Sequence, residues 1–368
     1  MDLEDLTIGI EEEYQIVDSE TGELTSYVSE FLEHGATIFR DQVKPELLQS
    51  QIEIGSHVCR NIKEARQELT RLRRMLGKIA EPNGRRIIAA GTHPFSRWQD
   101  QIITDKDRYK TLVASMQYIA RRLLIFGMHV HIGVPDRELR IDVMNQLAYF
   151  MPHVLCLSTS SPFWLGQNTG LRSYRSVVFG DLPRTGLPEY FHSASEYDQF
   201  LETLVKTNCI DEPTKIWWDI RPHPRFPTLE IRICDCVTKI EESISIAALL
   251  QALVVKLIEL RKSNQTWRQY RRSLLAENKW RAIKDGIDGH LVDLGKETEV
   301  PVRFLIEELV EFVEDAADRL GTRQELEGVR RILEEGTSAD RQLRTHQKTG
   351  DLCAVVDRLA DETALLGW

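Results

Sequence analysis

The stretch Gly9-Ile10-Glu11-Glu12-Glu13-Tyr14-Gln15-Ile16-Val17-Asp18 sets three consecutive glutamates inside an otherwise apolar run near the start of the chain. In a β-strand successive side chains point to opposite faces, so Glu11 and Glu13 share one face and Glu12 takes the other. Two later runs have the same texture. In Met128-His129-Val130-His131 the two histidines share a face, and in Thr228-Leu229-Glu230-Ile231-Arg232 Glu230 and Arg232 lie opposite the aliphatic row Leu229, Ile231 and Ile233. A strand with one aliphatic and one charged face lines something wet. Glutamates this close repel one another unless a cation intervenes; the competing reading is an edge strand that carries charge against aggregation. Carboxylates with an imidazole suit a hard divalent ion such as Mg2+ or Mn2+, and an arginine on the same surface suits a phosphate.

Two more carboxylates stand in Pro45-Glu46-Leu47-Leu48-Gln49-Ser50-Gln51-Ile52-Glu53-Ile54. Glu53 faces the same way as Gln51 and opposite Ile52 and Ile54, which suits a ligand on the wet side of a strand; Glu46 reads equally well as a solvated loop residue. One histidine in an apolar strand is usually a core residue, so His129 carries weight only beside the carboxylates. His-x-His pairs also occur in zinc amidohydrolases, joined by further histidines and an aspartate; carboxylates as partners fit a hard ion better. The long polar connection from Ser158 to Pro188 reads as a binding loop. Arg172, Arg175, Arg184 and Arg221 are candidates to clamp a carboxylate or phosphate, because the guanidinium fork matches both, with a surface ion pair as the alternative for each. His93, in a turn before a proline, either shapes the site or is structural.

Period-two alternation predicts strands at Thr7–Val17, Gln51–His57, Arg86–Ala90, Met128–Val134, Lys215–Ile220 and Leu229–Cys234, with helices at Asn61–Ile79 and Arg137–Leu157 between them. After Asp235 the pattern turns helical, over Glu241–Leu260, Gln265–Arg281, Val302–Leu320, Arg323–Glu334 and Leu352–Leu366. No Pro/Gly/Ser-rich linker separates the halves. The expectation is an α+β fold and a single catalytic domain over residues 1–368, with a sheet-rich part at 1–238 carrying the site and a helical part at 239–368 packed on it.

A net charge of -10 argues against a nucleic-acid partner. The apolar runs read as too short for the roughly 20 residues that cross a bilayer, and the acidic start Met1–Asp5 lacks the pattern of a signal peptide, so the expected setting is cytoplasmic, away from membranes. The six cysteines include no Cys-x-x-Cys and read as buried free thiols.

Several motifs in order carry a family resemblance: Gly-Ile-Glu-Glu-Glu-Tyr at 9–14, Gly91-Thr92-His93-Pro94-Phe95, Met128-His129-Val130-His131, Ser161-Pro162-Phe163-Trp164-Leu165-Gly166, Pro183-Arg184-Thr185-Gly186, Trp218-Asp219-Ile220-Arg221-Pro222 and Thr228-Leu229-Glu230-Ile231-Arg232, with Glu277-Asn278-Lys279-Trp280-Arg281 and Asp285-Gly286-Ile287-Asp288-Gly289. Together they resemble the carboxylate-amine ligase family, also called glutamate-cysteine ligase type 2, of the glutamine synthetase superfamily. The resemblance implies a curved, mostly antiparallel, glutamine synthetase-like sheet backed by helices, with a helical C-terminal part. It implies Glu11, Glu13, Glu46, Glu53, His129 and Glu230 as ligands of two Mg2+ or Mn2+ ions, Glu46 being the least secure because its spacing to Glu53 is seven rather than eight. It implies Arg221, Arg232 and Arg281 for the nucleotide, and Arg232, Glu53 and Arg184 in catalysis. The implied activity is ATP-dependent amide formation through an acyl phosphate, joining glutamate to an amine such as cysteine, in a homo-oligomer acting on small molecules. The alternative is a metal-dependent hydrolase of amide or γ-glutamyl bonds on the same fold. On this reading Glu230→Gln leaves the metal-free protein as stable as before or more so; a large loss of stability would instead identify Glu230 as a structural ion-pair partner of Arg232.

Overall fold

A computed structural model describes residues 6–39 and 42–365. The predicted acidic start, Met1–Asp5, and the end of the last predicted helix at Leu366 lie outside the described residues. The main sheet is built from β1 (Ile8–Asp18), β2 (Val43–Pro45), β3 (Gln51–Gly55), β4 (Arg85–Ile88) and β5 (Met128–Gly133). Four two-residue strands follow, β6 (Phe163–Trp164), β7 (Gln167–Asn168), β8 (Thr185–Gly186) and β9 (Trp217–Trp218), and then β10 (Ile220–Pro222) and β11 (Thr228–Ile231) complete the sheet. Its order is β10-β11-β5-β1-β3-β2, with β4 also pairing β1, and every pairing in it is antiparallel. The long β1 is the centre because its apolar face (Ile8, Ile10, Tyr14, Ile16) is wholly buried and spans neighbours on both sides.

Helices in the first part are α1 (Val28–Phe39), α2 (Ile62–Ala80), α3 (Asp107–Met116), α4 (Tyr118–Arg121), α5 (Arg137–Leu147), α6 (Met151–Ser158), α7 (Tyr174–Gly180) and α8 (Ala194–Lys206). The second part holds α9 (Ile240–Lys262), α10 (Arg272–Asp285), the hairpin β12 (His290–Asp293) and β13 (Thr298–Pro301), α11 (Val302–Leu320), α12 (Arg323–Glu335), α13 (Ser338–Thr349) and α14 (Leu352–Ala364). One apolar cluster runs continuously from the sheet through α2, α5, α6 and α9 to α11 and α12.

Three expectations need correction. The predicted Arg137–Leu157 helix is two helices, because Pro152 cannot donate to a continuing ladder and is tolerated only in the first turn of α6. The predicted strand Lys215–Ile220 changes partner at Asp219: β9 pairs with β8 on one side of it and β10 with β11 on the other. Residues 265–271 precede a helix that starts only at Arg272. In addition, Cys209 and Cys353 are exposed, against the expectation of buried thiols, and α9 is by length and composition apolar enough to cross a membrane, contrary to the reading of the sequence, but 83% of its apolar window is buried inside the protein. It is the core helix on which α2, α11 and α12 pack.

Candidate active site

The register across the sheet gathers the charged residues. Glu13 stands opposite Glu53, Glu11 opposite His129, and Glu230 opposite both His131 and Arg221. Four strands therefore deliver Glu11, Glu13, Glu53, His129, His131, Glu230 and Arg232 to one face, while Glu12 goes to the other. Glu46, in the turn between β2 and β3, reaches the rim of the same face, where Arg108 lies 3.6 Å from it.

Each carboxylate is held differently. Glu11 keeps 28% of its side chain open and accepts from His129 Nδ1 at 3.2 Å, with His131 Nε2 3.7 Å away. Burial works to raise its pKa, but the contacts from the two histidines outweigh it and hold the carboxyl well below the usual range. Burial and the charge of Arg232 lower the pKa of the His129 imidazole, against the pull of Glu11 and Glu13. Glu13 accepts the Gly127 N–H at 2.6 Å, yet burial and the neighbouring Glu46 raise its pKa. Glu53 is pushed well above the usual range by burial and by Glu11, Glu46 and Glu13, with only Lys44, 3.6 Å away, opposing them. Burial also raises Glu46, against the pull of Arg108.

Glu230, expected among the ion ligands, is clamped instead. Arg221 Nε donates to its Oε2 at 2.7 Å and Nη2 to Oε1 at 3.3 Å, and Arg232 Nη1 bonds Oε1. Burial alone would raise its pKa, but the two guanidiniums hold the carboxyl far below the ordinary range. These pairs favour the alternative for Glu230, a structural ion-pair partner, since Glu230→Gln would leave two buried guanidiniums short of a partner. Glu230 orients arginines in this structure.

As the side chains lie, no three His, Cys, Asp or Glu groups among the described residues close on a common point. The donor chemistry nevertheless fits a hard divalent ion: Glu11, Glu13 and Glu53 crowd together with no arginine clamp of the kind that holds Glu230, and His131 Nε2 is buried with no hydrogen-bond partner. A cation would relieve the repulsion that raises Glu53.

The cluster stands between two cavities. One, of about 470 Å3, is lined by Glu11, Lys44, His57, Val58, His131 and Phe226, and the Phe226 ring stacks on His223 with centroids 4.6 Å apart. The other, of about 160 Å3, is lined by Glu13, Glu46, Tyr109, His129, Arg175 and Arg232, with Leu112, Phe179 and Trp217 as apolar walls. Glu11 faces the first and Glu13 the second.

The remaining arginines separate. Arg184 lines neither cavity: its Nε bonds the Lys215 carbonyl at 3.0 Å and its guanidinium lies 5.6 Å from the centre of the Trp217 ring, so it supports a wall. Arg172 is tied to Asp340 at 2.9 Å. Arg281, expected at the nucleotide, pairs with Glu299 of β13 at 2.8 Å and does not reach the cluster. The reason is helical phase: Lys279, two residues earlier on α10, is turned inward, and Arg281 falls on the other side. His93 is structural, its Nε2 2.9 Å from the Gly22 carbonyl. Tyr109 is a site residue that the sequence motifs did not single out; Arg175, read from the sequence as a clamp candidate, and His131, read as the same-face partner of His129, join it. Asp235 ties the polar connection down, accepting from Ser160 N at 2.9 Å, Ser161 Oγ at 2.7 Å and Ser173 Oγ at 2.8 Å.

Comparison with known proteins agrees with this architecture. A family model described as "Glutamate-cysteine ligase family 2(GCS2)" matches residues 7–358. A protein of Chloroflexus aggregans named "Putative glutamate--cysteine ligase 2" is 55% identical over 357 residues, covering 97% of this chain and 92% of its own length. One of the same name from Chloroflexus aurantiacus is 56% identical with the same coverage. Among solved structures, a glutamate–cysteine ligase from Francisella tularensis in complex with AMP superposes with a TM-score of 0.74 at 14% identity, covering 97% of this chain and 89% of that one. A bifunctional glutathione synthetase from Pasteurella multocida gives 0.71 at 16% identity, over 98% of this chain and 53% of that one.

Proposed function

The chain belongs to glutamate-cysteine ligase family 2 and is an ATP-dependent carboxylate–amine ligase, and from that premise we propose that its two cavities divide the substrates, ATP entering the larger and the carboxylate and amine the smaller. The observation that carries the reading is the placement of Glu11, Glu13, Glu53, His129 and Arg232 between them. The apolar wall of Phe226 and Val58 suits a nucleotide base, and Glu11 and Lys44 mark the end where phosphates would meet the cluster. Mg2+ or Mn2+ held by Glu11, Glu13, Glu53 and His129 would neutralise charge on the transferring phosphoryl group.

Arg232 is the protein's own contribution to that neutralisation, and Glu230 fixes its direction. A substrate carboxylate oxygen attacks the γ-phosphorus of ATP, ADP leaves, and an acyl phosphate forms. The amine, having lost a proton, attacks the acyl carbon and phosphate departs. No enzyme nucleophile is required. Tyr109, Phe179 and Trp217 keep water from the acyl phosphate by closing the walls of the smaller cavity. Glutamate is the proposed carboxylate and cysteine the first amine to try. Purified protein given ATP, Mg2+, glutamate and a panel of amines should release ADP and phosphate in step with amide. Amide cleavage indifferent to nucleotide would overturn the assignment in favour of a hydrolase.

A further inference from the structure

Behind the cluster lies a third cavity, of about 210 Å3, bounded by Arg175, Thr185, Gly186, Asp219 and Lys279. Arg175 lines both this cavity and the smaller of the other two. Its guanidinium packs directly on Gly127: a Cβ there would meet Nη2 at 2.4 Å, so a side chain at 127 would push the guanidinium from this position. The same Gly127 gives its N–H to Glu13 at 2.6 Å. The guanidinium is thus fixed beside the carboxylate cluster on one side and the third cavity on the other.

Its hydrogen bonds are only partly used. Nη1 reaches the Ile233 carbonyl and Nη2 the Arg232 carbonyl, both at 3.3 Å, while Nε is buried with no partner. Asp235 lies 4.0 Å from Nη1 but is already occupied by Ser160, Ser161 and Ser173. Across the cavity Lys279 Nζ bonds both oxygens of Asp219, at 2.8 and 2.7 Å, with both side chains largely enclosed. The cavity is thus lined by a guanidinium, an ammonium and a carboxylate around one small volume. A carboxylate beside an ammonium on a single carbon matches that set.

We propose that this cavity reads the α-amino-acid head group of the carboxylate substrate: Arg175 and Lys279 take its α-carboxylate, Asp219 takes its α-ammonium, and its side-chain carboxylate extends past Arg175 to Glu13 and His129. The proposal rests on the ligase reading and adds the residues that set substrate class. It makes Asp219 and Lys279 specificity residues, outside the phosphoryl-transfer machinery.

The test compares glutamate with glutarate, which lacks the α-amino group, and with γ-aminobutyrate, which lacks the α-carboxylate, in wild type, Asp219→Asn and Lys279→Met. Lys279→Met should raise KM for glutamate and glutarate by at least about tenfold, leaving γ-aminobutyrate and the KM for ATP unchanged. Asp219→Asn should erase the preference for glutamate over glutarate. Equal losses on all three substrates, or none, would overturn the proposal, the first by showing a purely structural role. If wild type turns over no substrate the ligase reading fails by itself. Calorimetry of glutamate binding to the protein without nucleotide then decides: binding that Lys279→Met abolishes supports the cavity, and no binding to wild type rules it out. Should Asp219→Asn not fold, the Lys279→Met measurements decide alone.

Discussion

Glu12 and its neighbours Glu11 and Glu13 are the same residue type on the same strand, and the sheet treats them in opposite ways. Glu12 points into the core and is fully buried. It accepts from Arg73 Nη2 at 2.7 Å and Nε at 3.0 Å, and from Ser243 and Tyr14, while Arg73 also bonds the Thr238 carbonyl at 2.7 Å. Every charge there is matched. On the other face Glu11 and Glu13 meet Glu53, and the direct partners of the three among the described residues are histidines, a backbone N–H and the distant end of Lys44, with Arg175 and Arg232 acting only through their charge. A charge neutralised within the fold is structure, and charge left in excess around two cavities is a site. Glu230 shows that face alone does not decide: it lies on the charged face but is neutralised by two arginines.

The comparison breaks first at Arg73. Arg73→Met strands Glu12 in the core and should cost about 3–5 kcal/mol of folding stability, read by denaturant unfolding. Glu230→Gln should also destabilise, by about 3 kcal/mol, because Arg221 and Arg232 lose their shared partner; a variant as stable as wild type would return Glu230 to the excess-charge group. Glu53→Gln should do the reverse, leaving the ion-free protein at least as stable while lowering kcat on the order of 100-fold.

Acid sharpens the contrast. Glu13, Glu46 and Glu53 all have pKa values raised above 4.5 in the fold, so proton uptake favours folding. Their contribution is greatest below the unfolded value and is lost as pH rises through the folded ones. The part of the stability of the ion-free protein that these three supply should therefore grow between about neutral and about pH 5, against an opposing loss from His93, His129, His153 and His223, whose pKa values burial lowers in the fold. Glu11 and Glu230, lowered in the fold, oppose this only below 4.5, where their stabilisation is lost. Glu53→Gln removes part of the glutamate contribution and leaves the histidines alone, so wild type should gain on the variant as pH falls through that range, read as the difference between their urea midpoints. The smallest effect belongs to Arg281→Ala: with its charge spent on Glu299 at the surface, it should change stability by about 0–1 kcal/mol and leave the KM for ATP unmoved.

How far the sequence could be read follows from what is local. The sheet strands and their charged face were legible because period-two alternation makes Glu11 and Glu13, Gln51 and Glu53, and Glu230 and Arg232 share faces without knowledge of their neighbours. Two features were hidden because they depend on nonlocal pairing. Arg221 meets Glu230 only once β10 and β11 align, nine residues apart, and Asp219 acquires Lys279 from α10 sixty residues later. The phase of α10 was legible in part: Leu275, Ala282 and Ile283 mark its buried side, Lys279 falls beside them at i+4 and i−3, and Arg281 does not. The α3 helix, with Tyr109 its one buried side chain, gave no apolar period to detect.

The central claim is that Glu11, Glu13 and Glu53 form a charge excess made for a cation. Thermal unfolding of wild type and Glu53→Gln, with Mg2+ or Mn2+ titrated to millimolar concentration, addresses it directly. At about 100 times its dissociation constant the ion should stabilise wild type by roughly 2.7 kcal/mol, and Glu53→Gln should lose most of that gain. A wild-type melting temperature unmoved by either ion would contradict the account.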